Sequence, residues 1–335
     1  MNPLSAVYGQ VTRFRRHWYE QRPHRQRQLG IPVISVGNLV VGGSGKTPVV
    51  ATLARMLHDG DYTPAIISRG YKRRQAAADV AIVSDGASIL EGVDASGDEP
   101  QLLARRLTGI PVVVSSNRYE AGVTARDRLG VNVLILDDGF QHLAVARTVD
   151  LLLLSDADVT EQVLPAGRLR EPLEAVRSAD ALLVYGSEAE SAALARRVGV
   201  GPAFSVRVDY QPLRLVTPFG AAVEQPPNRV AILAAIARPE RFVNAVRKLG
   251  YSVTREITFR DHHWFTASEI DQVQQQARAA GAEAILTTEK DAVRLAPERG
   301  GAVPVMYLPI DARIEPADAF IHWLFERIGP PQVRR

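Results

Sequence analysis

Hydrophobic positions along the chain fall into distinct rhythms, and each predicts a different kind of element. Leu4, Val7, Tyr8, Val11, Phe14 and Trp18 recur at helical spacing and form one apolar stripe, from which Gln10, Arg13 and Arg16 fall away. A helix with aliphatic and aromatic residues on one side and arginines on the other suits a membrane interface; the alternative is a helix packed on its own domain. No apolar run approaches the ~18 residues of a spanning helix. The short apolar core and cleavage site of a signal peptide are not found either.

From Ile31 onward, near-continuous runs of Val, Ile and Leu alternate with helical patterns. The runs are Ile31–Val36, Pro64–Ser68, Val80–Ser84, Pro111–Ser115, Val131–Leu136, Val149–Leu154 and Ala181–Tyr185. Helices are predicted over Val49–Leu57, Glu99–Leu107 and Tyr119–Leu129. This is the pattern of a parallel sheet covered on both faces, with ligands expected at the carboxyl ends of its strands.

Near Pro202 the rhythm changes. Phe204–Tyr210 and Leu213–Pro218 alternate around Gln211-Pro212, which predicts a two-stranded ribbon, and Gln225-Pro-Pro-Asn228 reads as a boundary. A second series follows: strands at Val230–Ala234, Tyr251–Ile257, Ala284–Thr287 and Val303–Leu308, with helices over Pro239–Leu249, Ala267–Ala280 and Pro316–Arg327. The expected organisation is an amphipathic helix and basic linker (1–28), a core domain (29–201), a β-ribbon linker (202–228) and a smaller α/β domain (229–335).

Composition changes this picture in two places. Cysteine is absent, which removes disulfides, thiolate metal sites and cysteine nucleophiles and fits a reducing compartment. The formal net charge is only +3, but residues 1–30 carry six arginines against Glu20. The basic balance is therefore an N-terminal property, which argues against a general nucleic-acid-binding body.

The candidate chemistry is organised around the loop that follows Ile31–Val36. Gly37-Asn-Leu-Val-Val-Gly-Gly-Ser-Gly-Lys-Thr47 passes from a strand through glycines into a helix start. Such a loop cradles phosphate with backbone N–H groups and the helix dipole, while Lys46 adds charge and the Thr47 hydroxyl suits Mg²⁺. Val40 stands where the first glycine of G-x-x-x-x-G-K-[ST] belongs, and Gly42 and Gly43 supply the flexibility instead. Asp137 and Asp138 end the apolar run Val131–Leu136, where P-loop enzymes hold Mg²⁺; the alternative is an ordinary Asp-Gly turn. Asp98 is either a helix N-cap or a base for an alcohol. Asp261-His262-His263 offers a metal site, a histidine reaching across a cleft to assist a carboxylate, or a solvated loop. Arginines cluster in Ser68–Arg74 and Leu164–Pro172 and suit phosphate. Glu289 and Lys290 are expected to pair with each other.

Together, Val36–Pro48, Ser68-Arg-Gly-Tyr71, Gly97-Asp-Glu-Pro100, Asp137-Asp-Gly-Phe-Gln-His142, Leu164–Glu171, Asp261-His262 and Thr288-Glu-Lys-Asp291 resemble the tetraacyldisaccharide 4'-kinase family of Gram-negative bacteria. The resemblance covers about residues 4–325. It implies a P-loop-type α/β/α sandwich with a second, smaller α/β domain. The implied reaction transfers the γ-phosphate of ATP, with Mg²⁺, to the 4'-hydroxyl of a tetraacylated glucosamine disaccharide 1-phosphate. It further implies that the N-terminal helix attaches the enzyme to the cytoplasmic face of the inner membrane. By motif, Val40, Val41, Gly42, Gly43, Ser44, Gly45, Lys46 and Thr47 take ATP, and Thr47, Asp137, Asp138 and Glu171 take the metal. Asp98 matches the base, His262 its helper and Lys46 the phosphate lysine. Arg118, Gln141, His142 and Arg170 are weaker candidates for the sugar or its 1-phosphate. Neither a nucleic acid nor an obligate protein partner is implied. Ala235-Ile-Ala237 and Lys72 depart from the family pattern. The competing reading is a membrane-associated P-loop switch ATPase without a lipid acceptor, but Val41 occupies the place of the second lysine such loops carry.

Overall fold

A computed structural model describes residues 2–43, 45–71, 73–74, 79–295 and 301–331; Ser44 and Lys72 lie outside them. The chain begins with α1 (Pro3–Glu20), capped by the Asn2 side chain, which accepts from the Leu4 N–H at 3.0 Å. The face of α1 turned to the protein carries Ser5, Gly9 and Arg16, all buried. Leu4, Val7, Val11 and Phe14 are instead 60–70% exposed. The stripe therefore points away from the domain, and packing of that stripe on its own domain is excluded as the reason for it.

The first domain follows in chain order as β1 (Val33–Asn38), α2 (Lys46–Asp59), β2 (Pro64–Ser68), β3 (Val80–Ser84), α3 (Val93–Ser96), α4 (Asp98–Arg106), β4 (Val112–Ser115), α5 (Arg118–Leu129), β5 (Val133–Asp137), β6 (Val149–Leu154), β7 (Ala181–Tyr185), α6 (Glu188–Val198) and β8 (Ala203–Tyr210). The second contains β9 (Arg214–Leu215), β10 (Arg229–Ala234), α7 (Pro239–Lys248), β11 (Ser252–Thr258), α8 (Ala267–Ala279), β12 (Ala284–Thr288), α9 (Glu289–Leu295) and β13 (Val305–Leu308). The chain then returns through β14 (Ile310–Glu315) and α10 (Ala317–Ile328).

Two mixed sheets result, ordered β14-β8-β7-β6-β1-β5-β2-β4-β3 and β11-β10-β12-β13-β9. The nine-stranded sheet is parallel except at its edges, where β3 runs against β4 and β14 against β8. Every residue of β1, β5 and β6 is buried, which is why their sequences read as near-continuous apolar runs. Strand order reverses about β1, so the loops after β1 and β5 open side by side at the carboxyl end of the sheet.

The expected ribbon between Phe204–Tyr210 and Leu213–Pro218 does not form. β8 joins the first sheet and pairs with β14 from Ile310↔Tyr210 to Glu315↔Ser205, while β9 pairs with β13 in the second sheet. The connection is still two-stranded, but its second strand comes from the far end of the chain. The boundary expected for 229–335 is corrected accordingly: α10 buries Phe320, Leu324 and Ile328 in the core of the first domain. A period-2 pattern marks both strands but not which partner lies opposite.

Phe320 is fully buried and meets Phe204 edge-on at 5.0 Å. Phe320→Ala is expected to cost about 3–5 kcal/mol, measured by denaturant unfolding, because it unlatches the returning helix from the first domain.

Candidate active site

The loop after β1 is held from several directions. Val41 N–H donates to Arg168 O at 2.9 Å, and Arg168 returns a bond to Val41 O at 3.0 Å. Val40 O accepts from Asn38 at 2.9 Å. Gly45 (φ +79°) caps the start of α2 in the left-handed region, and a Cβ there would collide with the Tyr185 hydroxyl, which itself donates to Gly45 O at 2.7 Å. Glycine at 45 is thus required twice, by backbone angle and by space. Gly42 is also left-handed (φ +96°), whereas Gly43 has open space about it. Thr47 is half-buried in the first turn of α2.

Lys46 opens α2 and donates to Asn38 Oδ1 at 2.8 Å, with Asp138 Oδ1 at 3.2 Å. Asp138 also accepts from Arg170 at 2.8 Å. Burial alone would raise the Asp138 carboxyl; Lys46 and Arg170 outweigh it and bring it down to about 2. Asp137, paired in register with Val36 of β1, accepts from the Ser68 hydroxyl at 3.0 Å. Its carboxyl is pushed up to about 7 by burial, then by the charges of Glu99 and Asp138. Adjacent carboxyls are therefore shifted in opposite directions, and the difference follows from which one faces Lys46 and Arg170 most closely.

Glu171, expected beside this pair, is buried and gives both oxygens to Arg16 of α1, at 3.2 and 2.6 Å. Gln141 donates to Asn38 O at 3.0 Å and accepts from Arg170 at 3.2 Å. Arg118 is buried and donates to Ser115 O at 2.9 Å; burial pulls it down to about 10 against the pull of Asp137 and Asp138. His142 is lowered to about 4 by burial and by Arg118, Arg147, Arg15 and Arg69, so it is a neutral ring at pH 7. Among the substrate candidates, Arg170 and Gln141 thus adjoin the glycine-rich loop after β1, and Arg118 and His142 share one basic neighbourhood.

Asp98 begins α4, but the N-cap is Gly97 (φ +87°), so the carboxylate is not a cap. It is 5% exposed and accepts from His262 Nδ1 of the second domain at 2.8 Å. Lys290 Nζ donates to His262 Nε2 at 3.2 Å, so the ring hydrogen belongs to Nδ1 and faces Asp98. Burial would raise Asp98, but the His262 hydrogen bond and the charges of Arg294 and Lys290 outweigh it and hold the carboxyl below its ordinary value. His262 (φ +62°) and Asp138 (φ +55°) are both left-handed, which costs a non-glycine residue about 1–3 kcal/mol and persists only where the surroundings enforce it.

The backbone of Ala235 enforces it at His262. Ala235 O accepts from the His262 N–H at 3.1 Å, and Ala235 N–H donates to Asp291 at 3.0 Å. The departure at Ala235-Ile-Ala237 therefore touches the His262 loop through main-chain atoms, which any residue supplies. His263 turns instead to Glu269 at 3.0 Å and stacks on Phe259 at 4.7 Å. Among the described residues no group of three or more His, Asp or Glu is arranged to hold a metal. The expected Glu289–Lys290 pair is replaced by Arg106–Glu289 at 3.1 Å and Lys290–Glu99 at 3.4 Å, both spanning α4 and α9. Val93, Leu102 and Val293 bury a small apolar cluster at the same junction. Asn38, Ser68, Lys290, Arg294 and Arg16 were not among the expected site residues. Asn38, Ser68 and Lys290 stood within motifs already singled out, whereas Arg294 lay outside them and Arg16 was read only as a residue off the apolar stripe.

The model of the tetraacyldisaccharide-1-P 4'-kinase family matches residues 1–329. A tetraacyldisaccharide 4'-kinase of Syntrophus aciditrophicus is 38% identical over 342 aligned residues, covering 96% of this chain and 91% of that protein. One from Desulfotalea psychrophila is 39% identical, covering 88% and 86%. The crystal structure of LpxK from Aquifex aeolicus in complex with ATP aligns with a TM-score of 0.80 at 32% identity, covering 98% of both chains. Matches of this length and identity, on a chain whose two α/β domains meet at Asp98 and His262, establish that it belongs to the tetraacyldisaccharide 4'-kinase family.

Proposed function

We propose that the two domains divide the work of the kinase, the first holding the nucleotide phosphates at residues 40–47 and both meeting at the Asp98–His262 pair that handles the acceptor. The reaction itself is that of the family: phosphate passes from ATP to the 4'-hydroxyl of a tetraacyldisaccharide 1-phosphate in lipid A biosynthesis. The observation that carries the division of labour is the 2.8 Å contact between Asp98 and His262, which exists only because the domains pack at α4 and α9.

ATP lies with its phosphates on the α2 N-terminus, where Lys46 adds charge. Asp98, kept ionised by its neighbours, orients the acceptor hydroxyl and takes its proton; His262 holds the carboxylate by donating from Nδ1. A loose, metaphosphate-like transition state needs little base strength, so a carboxyl held below its ordinary value is adequate. Proton removal can then lag bond formation.

Mg²⁺ fits this site. The raised Asp137, crowded by Asp138 and Glu99, marks a place where added positive charge is favourable. The oxygen donors Thr47, Asp137 and Asp138 would hold the ion, and Glu171 is already engaged by Arg16. Mg²⁺ usually takes one or two carboxylates plus substrate phosphates, so an all-protein cage is unnecessary. When bound it neutralises charge developing on the phosphates.

The exposed stripe of α1 supports attachment to a membrane surface, and the use of ATP together with an acylated acceptor favours the cytoplasmic face of the inner membrane. No helix among the described residues is long and apolar enough to cross a membrane. Leu4, Val7, Val11 and Phe14 instead give an interfacial helix its buried side.

Three outcomes test these roles. Asp98→Asn is expected to lower kcat about 10²–10⁴-fold while keeping ATP binding, whereas Lys46→Ala lowers both; label transfer from γ-labelled ATP and a nucleotide-binding titration separate them. The Asp137 carboxyl, raised to about 7, contributes stability that is present below its ordinary range and lost as pH rises through 7. Without magnesium, Asp137→Asn is therefore expected to melt above wild type at pH 8, the gap closing toward pH 4. The double substitution Val7→Ser/Phe14→Ser is expected to reduce cosedimentation with anionic liposomes severalfold; equal sedimentation would remove the stripe from membrane attachment.

A further inference from the structure

α1 lies on the surface, yet Arg16 within it is buried. Its guanidinium donates to both oxygens of Glu171 at 3.2 and 2.6 Å and to Phe140 O at 3.2 Å, and sits 4.4 Å over the Phe140 ring. The neighbouring Arg15 donates to Gln141 O at 3.0 Å. One turn of the first helix therefore grips two separate segments, 140–141 and 171.

Each segment leads directly to the phosphate loop. Arg170, next to Glu171, donates to Asp138 Oδ2 at 2.8 Å and Asn38 Oδ1 at 3.2 Å. Gln141, next to Phe140, donates to Asn38 O at 3.0 Å. Phe140 also presses on β1 at Gly37, where any Cβ would collide with its own Cβ. Asn38 and Asp138 both hold Lys46. The path from the exposed helix to the phosphate lysine thus runs through hydrogen-bonded groups without a gap.

We infer that Arg16 is a positioning residue for phosphoryl transfer: it sets the Asp138–Gln141 loop and Arg170 against Lys46, so that α1 forms part of the active-site frame as well as a membrane contact. The inference rests on the roles proposed above for Lys46 and Asp138. A buried ion pair adds little net stability over apolar residues of similar volume, so what it supplies here is geometry. The forked, two-bond pairing fixes both the distance and the plane of the Glu171 carboxylate, which a lysine cannot do. The opposite face of the same helix turns Phe14 outward, so one rigid element relates the membrane plane to the reacting phosphate.

The test compares full-length wild type, Arg16→Gln, Glu171→Gln and the exchanged pair Arg16→Glu/Glu171→Arg. Activity is read in detergent micelles, which supply acceptor without a bilayer. Either single variant is expected to lose about 10- to 100-fold in kcat with liposome cosedimentation retained. Amide hydrogen exchange over residues 138–142 is expected to quicken in the same variants, with or without nucleotide. The exchanged pair is expected to regain at least tenfold over the single variants. Arg16→Lys, which keeps charge but loses the fork, carries the same test with an intermediate loss if Arg16→Gln does not fold. Wild-type kcat and wild-type loop exchange in a folded Arg16→Gln protein would overturn the inference. So would a loss of kcat seen only on bilayers and in step with lost cosedimentation, or an exchanged pair no better than the singles with loop exchange unchanged. Nucleotide binding by wild type and its loss in Lys46→Ala are measured alongside. Failure there removes the underlying reading, whereas a silent Arg16→Gln with that control intact removes the positioning role alone.

Discussion

Carboxylates crowd the carboxyl end of the first sheet, and the way their repulsion is managed explains much of what surrounds them. Asp137 and Asp138 are adjacent, and Glu99 approaches closely enough to raise Asp137 further. Asp138 takes the available cations, Lys46 and Arg170, and stays ionised; Asp137 receives a neutral hydroxyl from Ser68 and sits near 7. The asymmetry requires Asp138 to turn out of the strand, which its left-handed backbone accomplishes.

The second domain solves a similar problem on the other side of the cleft. Asp98 is buried and charged, so it needs compensation from outside its own helix. His262, Arg294 and Lys290 provide it, all from the second domain. Arg294 and Asp291 form a fully buried pair that also fixes Ala235, whose carbonyl holds the backbone of His262. The polypeptide crosses between the domains at β8 and β14, which pair with each other, so relative movement must bend a hydrogen-bonded ribbon. Such a joint restricts the domains to few modes of approach, consistent with a reaction that depends on positioning more than on strong acid or base.

Sequence made the interior strands, the glycine-rich strand-to-helix loop and the acidic strand end legible, because each writes its constraint locally. Near-continuous apolar runs over Ile31–Val36 and Val131–Leu136 report burial on both faces, and Gly45 reports a left-handed backbone angle that glycine adopts most cheaply. What stayed hidden was pairing at long range. Phe204–Tyr210 announces a strand but not that Ile310–Glu315 lies beside it, since alternation gives a face and no partner. Lys290 looked like a partner for Glu289 next to it, whereas successive helical residues point apart and each reaches α4 instead. Glu171 fell near the acidic pair by motif, yet its partner is 155 residues away on α1.

The same distinction explains α1. Its outward side was readable because apolar spacing at helical period is a local signal, and an arginine off the stripe is ordinarily solvated. Arg16 is the exception, since Ser5 and Gly9 keep the inner face small enough for the helix to lie close against residues 165–178. Ser5 accepts from Ala166 N–H at 3.0 Å, Gly9 has Pro172 within 3.5 Å of where a Cβ would sit, and Ser178 donates to Glu20 at 2.8 Å. The small residues on the inner face thus accompany the buried pair, while the large ones on the outer face stay exposed. A helix built this way can leave its apolar residues exposed because polar groups carry its attachment to the protein.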